Sequence, residues 1–248
     1  MNNSNAKSLP HLIQQFDDQV KRSACIAMYL RFHDVELPNR PSDHLLNEID
    51  VMKINFSRYT LRTMYFAEQT IEWLKKVLHD LNSRSKPSDN DFMTSIDDRI
   101  FYYFDAFVLS CKVLTERNIN DKGRQHFHSS IRDKFARYVD NDIMPFMLNY
   151  ANPIRNEIAH LNAFGTSLGS MLRVQGSSIA IVTMYSPESN LIILFDEVLS
   201  ATSKIVFDIA QFIMIHDCEL YGYPTKDITF NSGAYSIKRS EFVEIKPK

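Results

Sequence analysis

Glycine is scarce, with six residues in a chain of 248. So few residues able to enter positive φ argues for long helices joined by few tight turns. Cysteines number three, Cys25, Cys111 and Cys218, far apart and without a Cys-x-x-Cys pair. That spacing excludes a zinc ribbon and a disulfide framework and fits a reducing cytoplasm. Charge of one sign is also missing: the formal net charge is −2, so any contact with nucleic acid must rely on local patches rather than a global basic field. There is no Gly-rich phosphate loop, no Gly-x-Ser-x-Gly elbow and no His-Glu-x-x-His, which removes the commonest nucleotide-binding, serine-hydrolase and zinc-protease readings. The first residues carry no apolar run of the signal-peptide kind. The longest apolar stretch, Ile205 to Ile215, is short for a bilayer and contains Asp208 and Gln211. The expectation is a soluble, cytoplasmic protein without a membrane partner.

What is present is helical periodicity. Hydrophobic residues make up 44% and charged residues 23%, the proportions of a globular chain with material for one large core. Residues 9–33 carry Leu12, Ile13, Phe16, Val20, Ala24, Ala27, Met28 and Phe32 in helical period. After the loop at residues 37–42, Ser42 or Asp43 is placed to cap one long helix, or two end to end, reaching about Leu81. Ile49, Met52, Phe56, Tyr59, Met64, Ile71 and Leu74 form its stripe, with Trp73 as core or interface. Lys53, Arg58, Arg62, Lys75 and Lys76 read as its solvated face. Residues 83–91 are a polar linker broken by Pro87. A helix over about 91–118 is apolar nearly all round and should be central. Asp105 stands inside its aromatic run: if buried it needs a partner such as Arg155 or a tyrosine hydroxyl, and otherwise it lies on an exposed stripe. Helices over about 123–139 and 141–150 follow, with His126 and His128 facing solvent.

The stretch Asn152-Pro153-Ile154-Arg155-Asn156-Glu157-Ile158-Ala159-His160 holds the chemistry. Asn152 is a good N-cap, Pro153 suits a first helical position, and Glu157 adds negative charge near the positive end of the helix dipole. A new helix is therefore expected here, with Arg155, Asn156 and His160 in its first two turns. Asn156 and His160, four apart, share a face. Arg155 lies about 140° round from His160 but can bend its planar fork of donors towards it. A guanidinium, an amide and an imidazole so placed suit a phosphodiester, with arginine on the non-bridging oxygens and histidine moving a proton.

These residues resemble the Arg-x4-6-His signature, often with a polar residue after the arginine, of the HEPN superfamily. Members are small α-helical domains, many of them metal-independent ribonucleases of defence and toxin–antitoxin systems. The resemblance implies that Arg155 and His160 are the catalytic pair, that Asn156 supports them, and that two copies form one composite cleft. It implies RNA as the substrate, an antitoxin as a further partner, and no cofactor. Asp105 and Glu157 are placed as supporting residues. Glu157-x-x-His160 also matches half of the di-iron helical motif, but a second Glu-x-x-His is missing, so no metal site is expected. A non-catalytic helical module of the same kind, binding nucleotide, RNA or a protein, is the rival reading. In a third, an interaction scaffold, Arg155 and His160 are structural.

Beyond Ala163 the pattern changes. Short β-rich runs at residues 171–174 and 179–184 flank Gly176 and read as a hairpin. A last helix is expected over about 188–217, starting at Pro187 or Glu188. The tail from Tyr223 holds short strand-like runs at residues 228–230 and 242–245. The fold class is mainly α: a bundle of long helices with a small β-hairpin after the Arg-x4-His helix. The chain reads as a single domain, 1–248, with a HEPN-like core at about 91–222, N-terminal helices over 1–82 packed on it, and a tail over 223–248.

Overall fold

The computed structural model describes residues 9–32, 37–43, 45–82, 98–117, 125–156, 172–175, 178–182, 192–232 and 235–245. Helix α1 spans Leu9–Phe32 and α2 spans Glu48–Asn82 as one unbroken element. The stripe Leu12, Ile13, Phe16 and Val20 of α1 is buried, as are Ile49, Met52, Phe56, Met64, Ile71 and Leu74 of α2. Helix α2 is capped by Asn47 and not by Ser42 or Asp43. Asn47 Oδ1 accepts from the N–H groups of Ile49 at 2.9 Å and Asp50 at 3.0 Å, and Asp50 Oδ2 accepts from Asn47 N–H at 3.0 Å. This reciprocal box satisfies three donors that the first turn would otherwise leave without partners.

Helix α3 covers Asp98–Arg117 and packs against α2. The next helix, α4, corrects two expectations. It starts as Ser129–Tyr138, passes through π-helical Val139–Ile143, α-helical Met144–Phe146 and π-helical Met147–Ala151, and stays helical to residue 156. The separate helices expected over 123–139 and 141–150, and the new start at Asn152, are one continuous run. Two wide turns make that continuity feasible. Met144 N–H bonds back to Val139 O just before Pro145, and Asn152 N–H bonds back to Met147 O just before Pro153. Each proline lacks a donor and would crowd the carbonyl of an ordinary turn, so a widened turn ahead of it lets the helix pass through. His128, expected to face solvent, is half-buried and is the N-cap of α4: its side chain accepts from Ser130 N–H. His126 is exposed as expected.

Strands β1 (Leu172–Gln175) and β2 (Ser178–Val182) form the expected hairpin, paired from Leu172↔Ile181 to Gln175↔Ser178. A third antiparallel strand, β3 (Ile192–Leu194), adds to β2 and runs straight into α5, Phe195–Tyr221. The last helix therefore begins at Phe195, seven or eight residues after the expected start. Gly222, at φ 96°, ends it by donating its N–H to Cys218 O. In the tail, β4 (Thr229–Ser232) pairs with β5 (Tyr235–Lys238), while Phe242 and Val243, expected in a strand, instead follow a 3-10 turn as buried core residues.

The architecture is mainly α. Helix α1 packs against α2, α5 and the β4–β5 hairpin, and the start of α4 packs on α5. Edge-on ring contacts tie the layers: Phe16 to Phe195 at 5.3 Å, Phe135 to Phe212 at 5.1 Å, and Tyr29 to Phe230 at 4.5 Å between centroids. By length and composition α5 is apolar enough to cross a membrane, yet half of its most apolar window is buried inside this fold.

Candidate functional site

Asn152 has φ −69° and ψ −47°, the right-handed helical region, and its N–H is already bonded to Met147 O. A capping residue would be extended, with free N–H groups ahead of it. Asn152 is therefore an interior helical residue, and the motif does not sit at the positive end of a helix dipole. Ala151, Pro153 and Ile154 are buried and fix this stretch against the core. Arg155, next along, is exposed. Its Nη1 donates to Asn156 Oδ1 at 3.3 Å. No carboxylate of the described residues lies in ion-pair range of Arg155, so most of its guanidinium fork is left to solvent. Asn156, expected to orient the imidazole or the phosphate, acts here on the arginine. His160 and Glu157 lie outside the described residues, as does the linker at 83–91. Asp105 is on α3, and its side chain is likewise outside what is described.

A second constellation was missed by the sequence reading. Lys53, expected on a solvated face, is 2% exposed. Its ammonium lies 3.5 Å from Asp50 Oδ1 and 3.3 Å from Asp217 Oδ2. Arg40 Nη2 donates to Asp50 Oδ1 at 3.1 Å and its guanidinium stacks on the Tyr221 ring at 5.1 Å. Beside Asp217, His216 is buried and its Nδ1 accepts the backbone N–H of His128 at 2.8 Å, which puts the neutral ring's proton on Nε2. Burial holds the His216 imidazole below its ordinary value, against the pull of the Asp217 and Asp50 carboxylates. Through these ion pairs the cluster links the 37–43 loop, the start of α2 and the end of α5. Among the described residues no group of three or more His, Cys, Asp or Glu is placed to hold a metal ion. The one legible signal was Asp50 and Lys53 sitting among Ile49, Met52 and Phe56, which places them next to the buried stripe.

Thiol chemistry is absent from the described surface. Cys25, Cys111 and Cys218 are all buried and none is in a disulfide, and burial pushes the Cys111 thiol up to about 12. A thiolate nucleophile at neutral pH is thus not available at Cys111. Arg155 faces solvent, whereas the Arg40–Asp50–Lys53–Asp217 cluster lies largely inside the fold. Compared with family models, with curated proteins and with solved structures, the chain matches none.

Proposed function

We propose that the chain is a HEPN-like, metal-independent endoribonuclease that works as a homodimer. The observation that carries this reading is Arg155: an exposed guanidinium without an acidic partner among the described residues, bonded to the amide of its neighbour Asn156 on a backbone anchored by buried Pro153 and Ile154. Such a fork binds two non-bridging phosphate oxygens, and bracing reduces the rotamer freedom lost on binding. In the mechanism, Arg155 stabilises charge building on the phosphorus-bound oxygens, and Asn156 sets the plane of the fork. His160 assists removal of the ribose 2′-OH proton or protonates the leaving 5′-oxygen. Attack by the 2′-oxygen breaks the bond to the 5′-oxygen and leaves a 2′,3′-cyclic phosphate. One motif has too few groups for both acid and base, which is why a second copy is needed. RNA is then the substrate, with an antitoxin as a further partner in the cytoplasm.

The test is cleavage of a mixed RNA in EDTA by wild type, Arg155→Ala and His160→Ala, with end-group analysis of the products. Both variants should lose cleavage, and Arg155→Ala should keep its helical circular dichroism, since truncating an exposed side chain moves stability by no more than about 0.5 kcal/mol. Cleavage at the wild-type rate by either variant refutes the assignment. Tight RNA binding by a dimeric wild type that never cleaves would instead make the chain a binding module.

A further inference from the structure

We infer that a cavity of about 320 Å³ between α1 and α5 binds a metabolite-sized organic oxyanion, a carboxylate or a phosphate ester that also carries a hydrogen-bond donor. Two helices that pack core to core should meet through apolar side chains. Here α1 instead brings Gln19 and Arg22, and α5 brings Ser203 and Lys204, around the apolar walls Ile26 and Phe207. Three polar atoms in this one concavity are buried with no protein partner: Gln19 Oε1, Arg22 Nε and Ser203 Oγ. Buried polar atoms are almost always paired, and each one left unpaired lowers stability. Three at the same place are what a site looks like when its complement is a ligand.

The atoms also say what that ligand must present. In the structure Gln19 Nε2 donates to Ser200 Oγ at 3.1 Å, which leaves Oε1 facing the cavity as an acceptor that asks for an N–H or O–H. Arg22 asks for an acceptor, and its guanidinium, 5.4 Å above the Phe207 ring, forms no ion pair among the described residues. Lys204 at the rim is different: Asp142 at 2.9 Å and Asp208 at 2.6 Å already neutralise it. The charge left without compensation in the cavity is that of Arg22, which calls for a ligand oxyanion. Ser203 can donate or accept and suits either part of such a molecule. The volume lies within the range of sites for small organic molecules. None of these residues belongs to the Arg155 motif, so this binding stands or falls apart from ribonuclease activity.

The test is calorimetric titration of the full chain with inorganic phosphate, acetate, L-glutamate and adenosine 5′-monophosphate, the four probes separating the carboxylate from the phosphate source. Saturable millimolar or tighter binding of L-glutamate or the monophosphate is expected. It should weaken at least about tenfold in Arg22→Gln and in Ser203→Val, as loss of a charged or a buried hydrogen bond does. It should survive in Arg155→Ala, whose side chain is not among the cavity lining. If Arg22→Gln does not fold, Ser203→Val carries the comparison. Absence of saturable binding by all four probes overturns the inference and leaves a solvent-filled packing gap, and so does binding that Arg22→Gln and Ser203→Val leave unchanged.

Discussion

Replacing Lys53 by methionine should be among the most damaging single changes in the chain. Methionine keeps nearly the volume of the lysine stem, so the change removes charge without opening a large void. At the observed 3.3 Å to Asp217, the attraction is about 5 kcal/mol for an effective dielectric of about 20. Desolvation of both groups, at 3% and 2% side-chain exposure, cancels much of it. What the single variant adds is a buried carboxylate stripped of its lysine, and breaking buried pairs in this way costs about 3–5 kcal/mol. Asp50 keeps Arg40 at 3.1 Å and Asn47 N–H at 3.0 Å. Urea unfolding followed by circular dichroism and by the fluorescence of Trp73 would measure the loss. At about 2–4 °C per kcal/mol for a chain of this size, the melting temperature falls by roughly 6–20 °C. The double variant Lys53→Met/Asp217→Leu should recover a large part of it, since two apolar side chains leave neither charge stranded. A single-variant cost below about 1 kcal/mol, or a double variant whose loss is the sum of its parts, would refute the clamp.

His216 gives a pH dependence with a definite sign. Its folded value lies below 6.5, so the unfolded chain takes up a proton first as pH falls. The contribution is present in full above about pH 6.5 and is lost as pH drops through the folded value; melting curves from about pH 7.5 to about 5 should show it, with a flatter slope in His216→Gln. Asn47→Ala removes the acceptor for two first-turn N–H groups and should cost about 1 kcal/mol in denaturant titration. Gly222→Ala should cost about 1–2 kcal/mol by the same measurement, because φ is 96° and the added methyl would meet Asn39 Nδ2 at 3.0 Å.

Helices whose apolar residues recur at three and four were readable directly. The α1 stripe of Leu12, Ile13, Phe16 and Val20 is local information, and so are the two β-rich runs that pair as β1 and β2. Lys53 was misplaced because its partner Asp217 is 164 positions away, and no local window contains it. Asn47, three residues before Asp50, was a legible capping pattern that Ser42 and Asp43 obscured by lying nearer the proline-rich loop. In the tail, Phe242 and Val243 have strand propensity but are drawn into the core beside Tyr29, 5.4 Å from the Phe242 ring, while Tyr235–Lys238 takes the pairing. Of the proposed site, the neighbouring pair Arg155 and Asn156 was legible. The helix through Asn152 was not, since Asn-Pro signals a start wherever an ordinary turn precedes it.

Those wide turns also aim the arginine. Ile131, Phe135, Val139, Ile143, Met147 and Ala151 are all buried, and they recur every four residues. Four residues of α-helix turn about 400°, so five such steps would carry the stripe about 200° away from the core. Each π turn takes in one extra residue and sets the rotation back by about 100°, and two of them cancel the drift. Ile154 thereby stays inside and Arg155 outside. Excising one residue from each wide turn would swing everything beyond by more than half a revolution and turn the guanidinium towards the hydrophobic interior. The direction in which Arg155 points is thus written not at residue 155 but in two single-residue surpluses upstream.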